Sequence, residues 1–136
     1  MLQKTMILAA CAGLLSACSL PTYQPGPSDK VARVALQKFD NPTLCVGRNP
    51  FLLNPDSSGH VIIPADRSVH MTGFYYGQGG MCIMGVVFAP KSGQVYEIVN
   101  ELRAERCIAS VMIRDPSAEY GLRVVPESMP APPTCN

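Results

Sequence analysis

The chain has 136 residues, 11 Lys+Arg against 10 Asp+Glu, and only 15% charged side chains. A net charge this close to zero supplies no electrostatic footprint for nucleic acid or for a generally anionic partner. Thirteen prolines and eleven glycines punctuate it too often for an ordinary helical domain.

The chain opens MLQKTMILAACAGLLSAC. Lys4 is the only charged side chain before Asp29 and, with the amino terminus, makes a short positive region. The apolar run at 6–15 is about half the roughly twenty residues that a membrane-spanning helix needs. Its length and flanks suit the hydrophobic region of a signal peptide.

The run closes on Leu15-Ser16-Ala17-Cys18, which resembles the lipobox of bacterial lipoproteins: Leu, two small residues, Cys. The resemblance implies that residues 1–17 are a cleaved signal peptide. It also implies that the Cys18 thiol receives a diacylglyceryl group and that the new amino group is acylated, commonly with palmitate. Each buried methylene contributes about 0.8 kcal/mol, and two anchoring signals hold stably where one chain does not. Cys11 lacks the small-residue context and leaves with the leader. In enteric lipoproteins, Asp after the lipidated cysteine favours inner-membrane retention. By that analogy Ser19 points to the outer membrane, with the domain facing the periplasm. Among the charged side chains cleavage removes Lys4 alone, so basic and acidic residues become equal in number.

Residues 18–29 follow, lipidated at Cys18 and continuing SLPTYQPGPSD. This composition suits a flexible tether. Residues 30–136 form the domain. Strands are expected at 31–37, 44–46, 60–63, 69–76, 83–89, 95–102, 107–114 and 121–125, separated by turns such as Pro90-Lys-Ser-Gly93 and Asp115-Pro116. Short strands at this spacing imply an all-β fold, a small antiparallel β-sandwich or barrel-like domain. The helix formers in VYEIVNELRAER make 95–106 the one helical alternative. A strand is preferred there, because Tyr96, Ile98 and Leu102 share a pleat face and β-branched residues cluster in it.

Four cysteines remain in the domain: Cys45, Cys82, Cys107 and Cys135. They lack zinc-ligand spacing, and in an oxidising compartment an even set is most simply disulfides, with three connectivities open. The stretch from Cys82 through Phe88-Ala-Pro90, Gly93, Tyr96-Glu97 and Cys107-Ile-Ala-Ser-Val111 resembles the C-terminal half of small, uncharacterised Gram-negative lipoproteins. That resemblance implies a Cys82–Cys107 pair, which leaves Cys45 for Cys135. A simple meander opposes it. Strands two places apart lie about 10 Å from one another, whereas bridged Cα atoms lie within about 7 Å. One strand must cross to a facing sheet, or a bulge must close the gap.

Candidate chemistry is sparse, and no catalytic residue or cofactor is assigned. His60, Asp66 and His70 are the only residues that suggest a metal-binding or enzymatic module, the competing reading. Their spacing matches no ligand pattern. Tyr75-Tyr-Gly-Gln-Gly-Gly80 lacks the Lys-Ser/Thr ending of a phosphate loop and reads as a mobile loop with its tyrosines over the sheet end. Met71, Met81, Met84 and Met112 read as core filling. Glu97, Glu101 and Glu105 form no carboxylate pair and read as a solvated face. The expected function is that of a lipid-anchored, non-enzymatic binding or structural module that meets another envelope protein. Tyr75 and Tyr76 are its candidate interaction surface, since tyrosines suit interfaces. A further alternative, resting on fold-level analogy, is an accessory lipoprotein of a secretion apparatus.

Overall fold

Alternation of buried and exposed side chains builds ten strands in the computed structural model, which describes residues 19–77, 80–103 and 106–136. Residues 1–17 and Cys18 lie outside the described residues, as do Gln78, Gly79, Ala104 and Glu105. In chain order the strands are β1 (Val31–Leu36), β2 (Asp40–Val46), β3 (Asn49–Leu52), β4 (His60–Pro64) and β5 (Val69–Gly77). They continue with β6 (Gly80–Phe88), β7 (Val95–Arg103), β8 (Arg106–Arg114), β9 (Leu122–Val124) and β10 (Met129–Ala131). Sheet I has the order β4-β1-β7-β8-β9 and sheet II the order β10-β6-β5-β2-β3. The pairings are antiparallel except that of β1 with β7, which is parallel. The fold is all-β, and 95–103 is a strand.

Period-two spacing aims one face of each sheet at the other. Val34, Val61, Ile63, Ile98 and Val111 of sheet I are fully buried, as are Leu44, Met71, Val86 and Phe88 of sheet II. The Phe88 and Tyr96 rings meet edge to face across this layer, with centroids 5.4 Å apart. Leu102 keeps the parity of Tyr96 and Ile98 but is exposed, because β7 runs past the end of the core.

The chain between β6 and β7 crosses from sheet II to sheet I. That crossing removes the objection a meander raises. Cys82 on β6 and Cys107 on β8 face one another from different sheets and are bonded, with Cα atoms 5.7 Å apart. Packed sheets stand about 10 Å apart, so the bridge marks an end where the layers converge. A second bridge joins Cys45 of β2 to Cys135, with Cα atoms 5.3 Å apart.

Near the same end, Asn100 Nδ2 donates to the carbonyl oxygens of Gln37 (3.2 Å) and Lys38 (3.0 Å). This holds the turn in which Lys38 has a φ of 51°. The turn delivers Phe39 onto Gly73 of β5, where an added Cβ would lie 2.4 Å from ring atom Cε1. Gly73 therefore makes room for a buried ring.

The segment expected to be a free tether is partly docked. Thr22 forms a parallel bridge with Leu52 of β3. Tyr23 N donates to Leu52 O (2.8 Å), and Leu52 N donates to Pro21 O (2.9 Å). The Tyr23 ring packs against the core, and burial raises its hydroxyl pKa. Asp29 Oδ2 then accepts from Gly26 N (2.7 Å) in a tight turn. The edge of β3 explains the difference: unpaired strand groups and an apolar ring give this Pro-rich stretch a place to bind.

Two consequences are measurable by urea denaturation. Gly73→Ala lowers stability by about 1–3 kcal/mol, the usual range for overpacking a core. The bridged residues are 25 and 90 apart in sequence, so in the chain-entropy model the bridges contribute about 3.5 and 4.6 kcal/mol respectively. Replacing Cys45 and Cys135 by Ser should therefore lower the midpoint more than replacing Cys82 and Cys107.

Candidate interaction surface

The outward face of sheet II is where burial and chemistry disagree. Alternation along β5 sends Val69, Met71, Gly73 and Tyr75 inward and His70, Thr72, Phe74 and Tyr76 outward. On β6 it sends Cys82, Met84, Val86 and Phe88 inward and Met81, Ile83, Gly85 and Val87 outward. The outward set is apolar enough for a second core, but the sandwich supplies no third layer.

One half of that face is covered by the chain itself. β10 pairs with β6 through Ala131 opposite Gly85, and the following residues cross the sheet to reach Cys45 through Cys135. His70 Nε2 donates to Pro132 O (2.8 Å). A Cβ on Gly85 would stand 2.4 Å from that same oxygen and 2.9 Å from Ala131 O. Glycine is what lets this strap lie so close. Beneath it Thr72 is buried.

The other half, toward the β5–β6 hairpin tip, is open. Phe74 stands opposite Ile83 and Tyr76 opposite Met81, forming two adjacent cross-strand pairs. The Phe74 and Tyr76 rings meet edge to face, with centroids 5.6 Å apart. Tyr76, Met81 and Ile83 are 61%, 52% and 55% exposed. Cross-strand aromatic–aliphatic pairs stabilise a hairpin, so this ladder is ordered as well as apolar. Together these side chains expose on the order of a few hundred Å², the size of patch that on a monomer is often functional.

The two tyrosines singled out in the sequence are therefore split. Tyr76 belongs to the exposed ladder. Tyr75 points inward, packs against the core and folds over Gly77, where a Cβ would lie 2.7 Å from its ring. Of the expected mobile loop, residues 75–77 and Gly80 instead continue the two strands, with Gly77 paired to Gly80, and Gln78 and Gly79 lie outside the described residues. Of the four methionines read as core, Met71 and Met84 are buried, Met112 is half-buried, and Met81 is exposed in the ladder. Strand parity accounts for Met81: Cys82 faces inward, so its neighbours face out.

The remaining candidates do not converge. His60 begins β4 in sheet I, and its Nδ1 contacts Ser58 Oγ (2.8 Å). Asp66, at a φ of 57°, pairs with Lys30 (3.1 Å) and accepts from Ser92 N (3.2 Å). The Lys30 contact holds its carboxyl below the usual range. His70 is in sheet II under the strap. Among the described residues no three His, Cys, Asp or Glu side chains come together as a metal site. Asp56, which the sequence reading passed over, caps the turn into β4. It accepts from Ser58 Oγ (2.6 Å) and His60 N (3.0 Å) and pairs with Arg33 (2.8 Å). Those hydrogen bonds, the Ser58 hydroxyl first, depress its pKa strongly. Glu97 is engaged by Gln37 Nε2. Glu105 lies outside the described residues. A cleft of about 320 Å³ beside Tyr96, Ile113, Arg123 and Val125 has its chief polar groups engaged. Tyr96 Oη accepts from Lys91 N (2.9 Å), and Arg123 pairs with Asp115 (3.1 Å).

No protein-family model, curated protein or solved structure matches the chain. The surface itself is the remaining guide.

Neighbouring tyrosines give a direct check on that surface. Tyr76→Ser should cost no more than about 1 kcal/mol, the range of an exposed cross-strand pair. Tyr75→Ser should cost roughly 2 kcal/mol or more, as truncating a packed aromatic does. Chemical denaturation of both variants measures the contrast.

Proposed function

We propose that this protein is a lipid-anchored envelope lipoprotein that acts by binding rather than by catalysis. On this reading Cys18 carries the lipid, the outer membrane holds it, and the domain faces the periplasm. The lipobox supports the anchor, and the two disulfides suit an oxidising compartment. The observation that carries the binding role is the exposed ladder of Phe74, Tyr76, Met81 and Ile83.

Its occupant is a second, different envelope protein presenting an apolar surface. A stable interface buries about 800 Å² per partner, so the ladder would be the apolar centre of a wider contact with that protein. Aromatic and methionine side chains are the types enriched where proteins meet. A metal-binding or enzymatic module around His60, Asp66 and His70 gains nothing from the geometry, which spreads them over both sheets.

Site-specific photocrosslinking in intact cells tests the reading. A photoreactive residue at position 76 should give one discrete adduct, absent when the probe is at Ser110 on sheet I. Ile83→Asp should abolish that adduct while the protein level stays unchanged. Equal crosslinking at 76 and 110, or an adduct indifferent to Ile83→Asp, rules the surface out. In parallel, Cys18→Ser should block incorporation of a palmitate analogue and leave unprocessed precursor.

A further inference from the structure

The docking of residues 21–23 fixes more than the tether. The segment runs beside β3 in the same direction, so residues before Pro21 lie toward the turn at 47–48 that joins β2 to β3. Only Ser19 and Leu20 separate Pro21 from Cys18. Three Cα steps reach about 11 Å when fully extended. Whatever Cys18 is fixed to, that end of the sandwich is held close to it.

The same end carries groups suited to a lipid surface. Leu20 and Val46 are large apolar side chains left 41% and 38% exposed. Arg48 is exposed in the turn between β2 and β3. A guanidinium on an apolar stem sets its charge among headgroups while the stem follows the apolar neighbours inward. The exposed ladder lies at the opposite end. Cys45, next to Val46, stands opposite His70 on β5, and Gly77 closes the far end of that strand. At about 3.3 Å per residue, His70 and Gly77 are roughly 23 Å apart.

We propose that the β2–β3 end of the domain is a bilayer-contact surface. A diacylglyceryl-modified Cys18 seats Leu20, Val46 and Arg48 on the lipid headgroups, and the Phe74, Tyr76, Met81 and Ile83 ladder stands on the side of the domain, toward the end farther from the membrane. The inference rests on the lipidation of Cys18. Its physical core is the shortness of the leash. A free spacer of ten residues would let the domain tumble, whereas docking at Pro21 leaves two residues of slack and therefore selects one orientation.

The chain contains no tryptophan, so a single introduced indole reports its own position. Full-length protein carrying Val46→Trp or Met81→Trp is reconstituted into phosphatidylethanolamine–phosphatidylglycerol vesicles with brominated acyl chains. The lipid on each sample is confirmed by mass. An interfacial side chain sits about 5–10 Å deep, so Val46→Trp should lose about half its fluorescence there while Met81→Trp is unaffected. Leu20→Trp serves as a second near-membrane reporter if Val46→Trp folds poorly. A Gly-Ser insertion of about twenty residues between Leu20 and Pro21, spanning roughly 25 Å, should remove the quenching at 46. Lipid-bearing protein quenched equally at 46 and 81, or at neither 46 nor 20, overturns the orientation. Protein without lipid mass overturns the anchor, and the orientation falls with it.

Discussion

The crossing of the chain from β6 to β7 is the constraint on which the rest depends. Continued as a meander, β5, β6, β7 and β8 would make one wide sheet with two wet faces and no core. By passing to the facing layer, β7 brings Tyr96 over Phe88, and Ile98 of β7 and Val111 of β8 join the same buried cluster as Met71 and Val86. It also brings Cys107 within bonding distance of Cys82. The disulfide then closes the end where Leu102 shows the core has run out. Phe39, seated on Gly73 and held by Asn100 through the preceding turn, fills the space just inside it.

Much of this architecture was legible. Strands rich in Val, Ile and aromatic residues announced themselves by alternation, and the strand preference over helix for 95–103 was carried by its β-branched residues. The omissions share a cause. β3 contains Pro50, β10 contains Pro130, and the first half of β2 contains Pro42. Proline lacks the N–H a ladder uses, so a sequence reading discounts it. β3 and β10 are edge strands of sheet II, where the missing donor goes unmissed, and β2 has a register shift between Asp40 and Thr43. The docking of Pro21 and Tyr23 was hidden for a related reason. A Pro-rich segment binds an exposed strand edge without any periodicity of its own.

The exposed ladder was half legible. The chemistry of a tyrosine says nothing of direction, and so it does not separate Tyr76 from Tyr75. Direction follows from parity. Once Cys82 is assigned inward, Met81 and Ile83 must face out, and the antiparallel register brings them beside Tyr76 and Phe74. The length of the open ladder was not readable at all. It is set by the strap from β10 to Cys135, which covers the other half of the face and whose closeness depends on Gly85.

The two disulfides are nested: the Cys45–Cys135 bridge encloses the Cys82–Cys107 bridge. A chain oxidised in order of emergence would join Cys45 to Cys82, its first available partner, and then Cys107 to Cys135. That consecutive pattern is wrong on both counts. Reaching the native pair requires Cys45 to stay reduced until the later cysteines arrive, or a thiolate to attack the early bridge and exchange it. The nesting thus ties maturation of this domain to timing: either oxidation waits for the whole chain, or early bridges are exchanged after it has emerged.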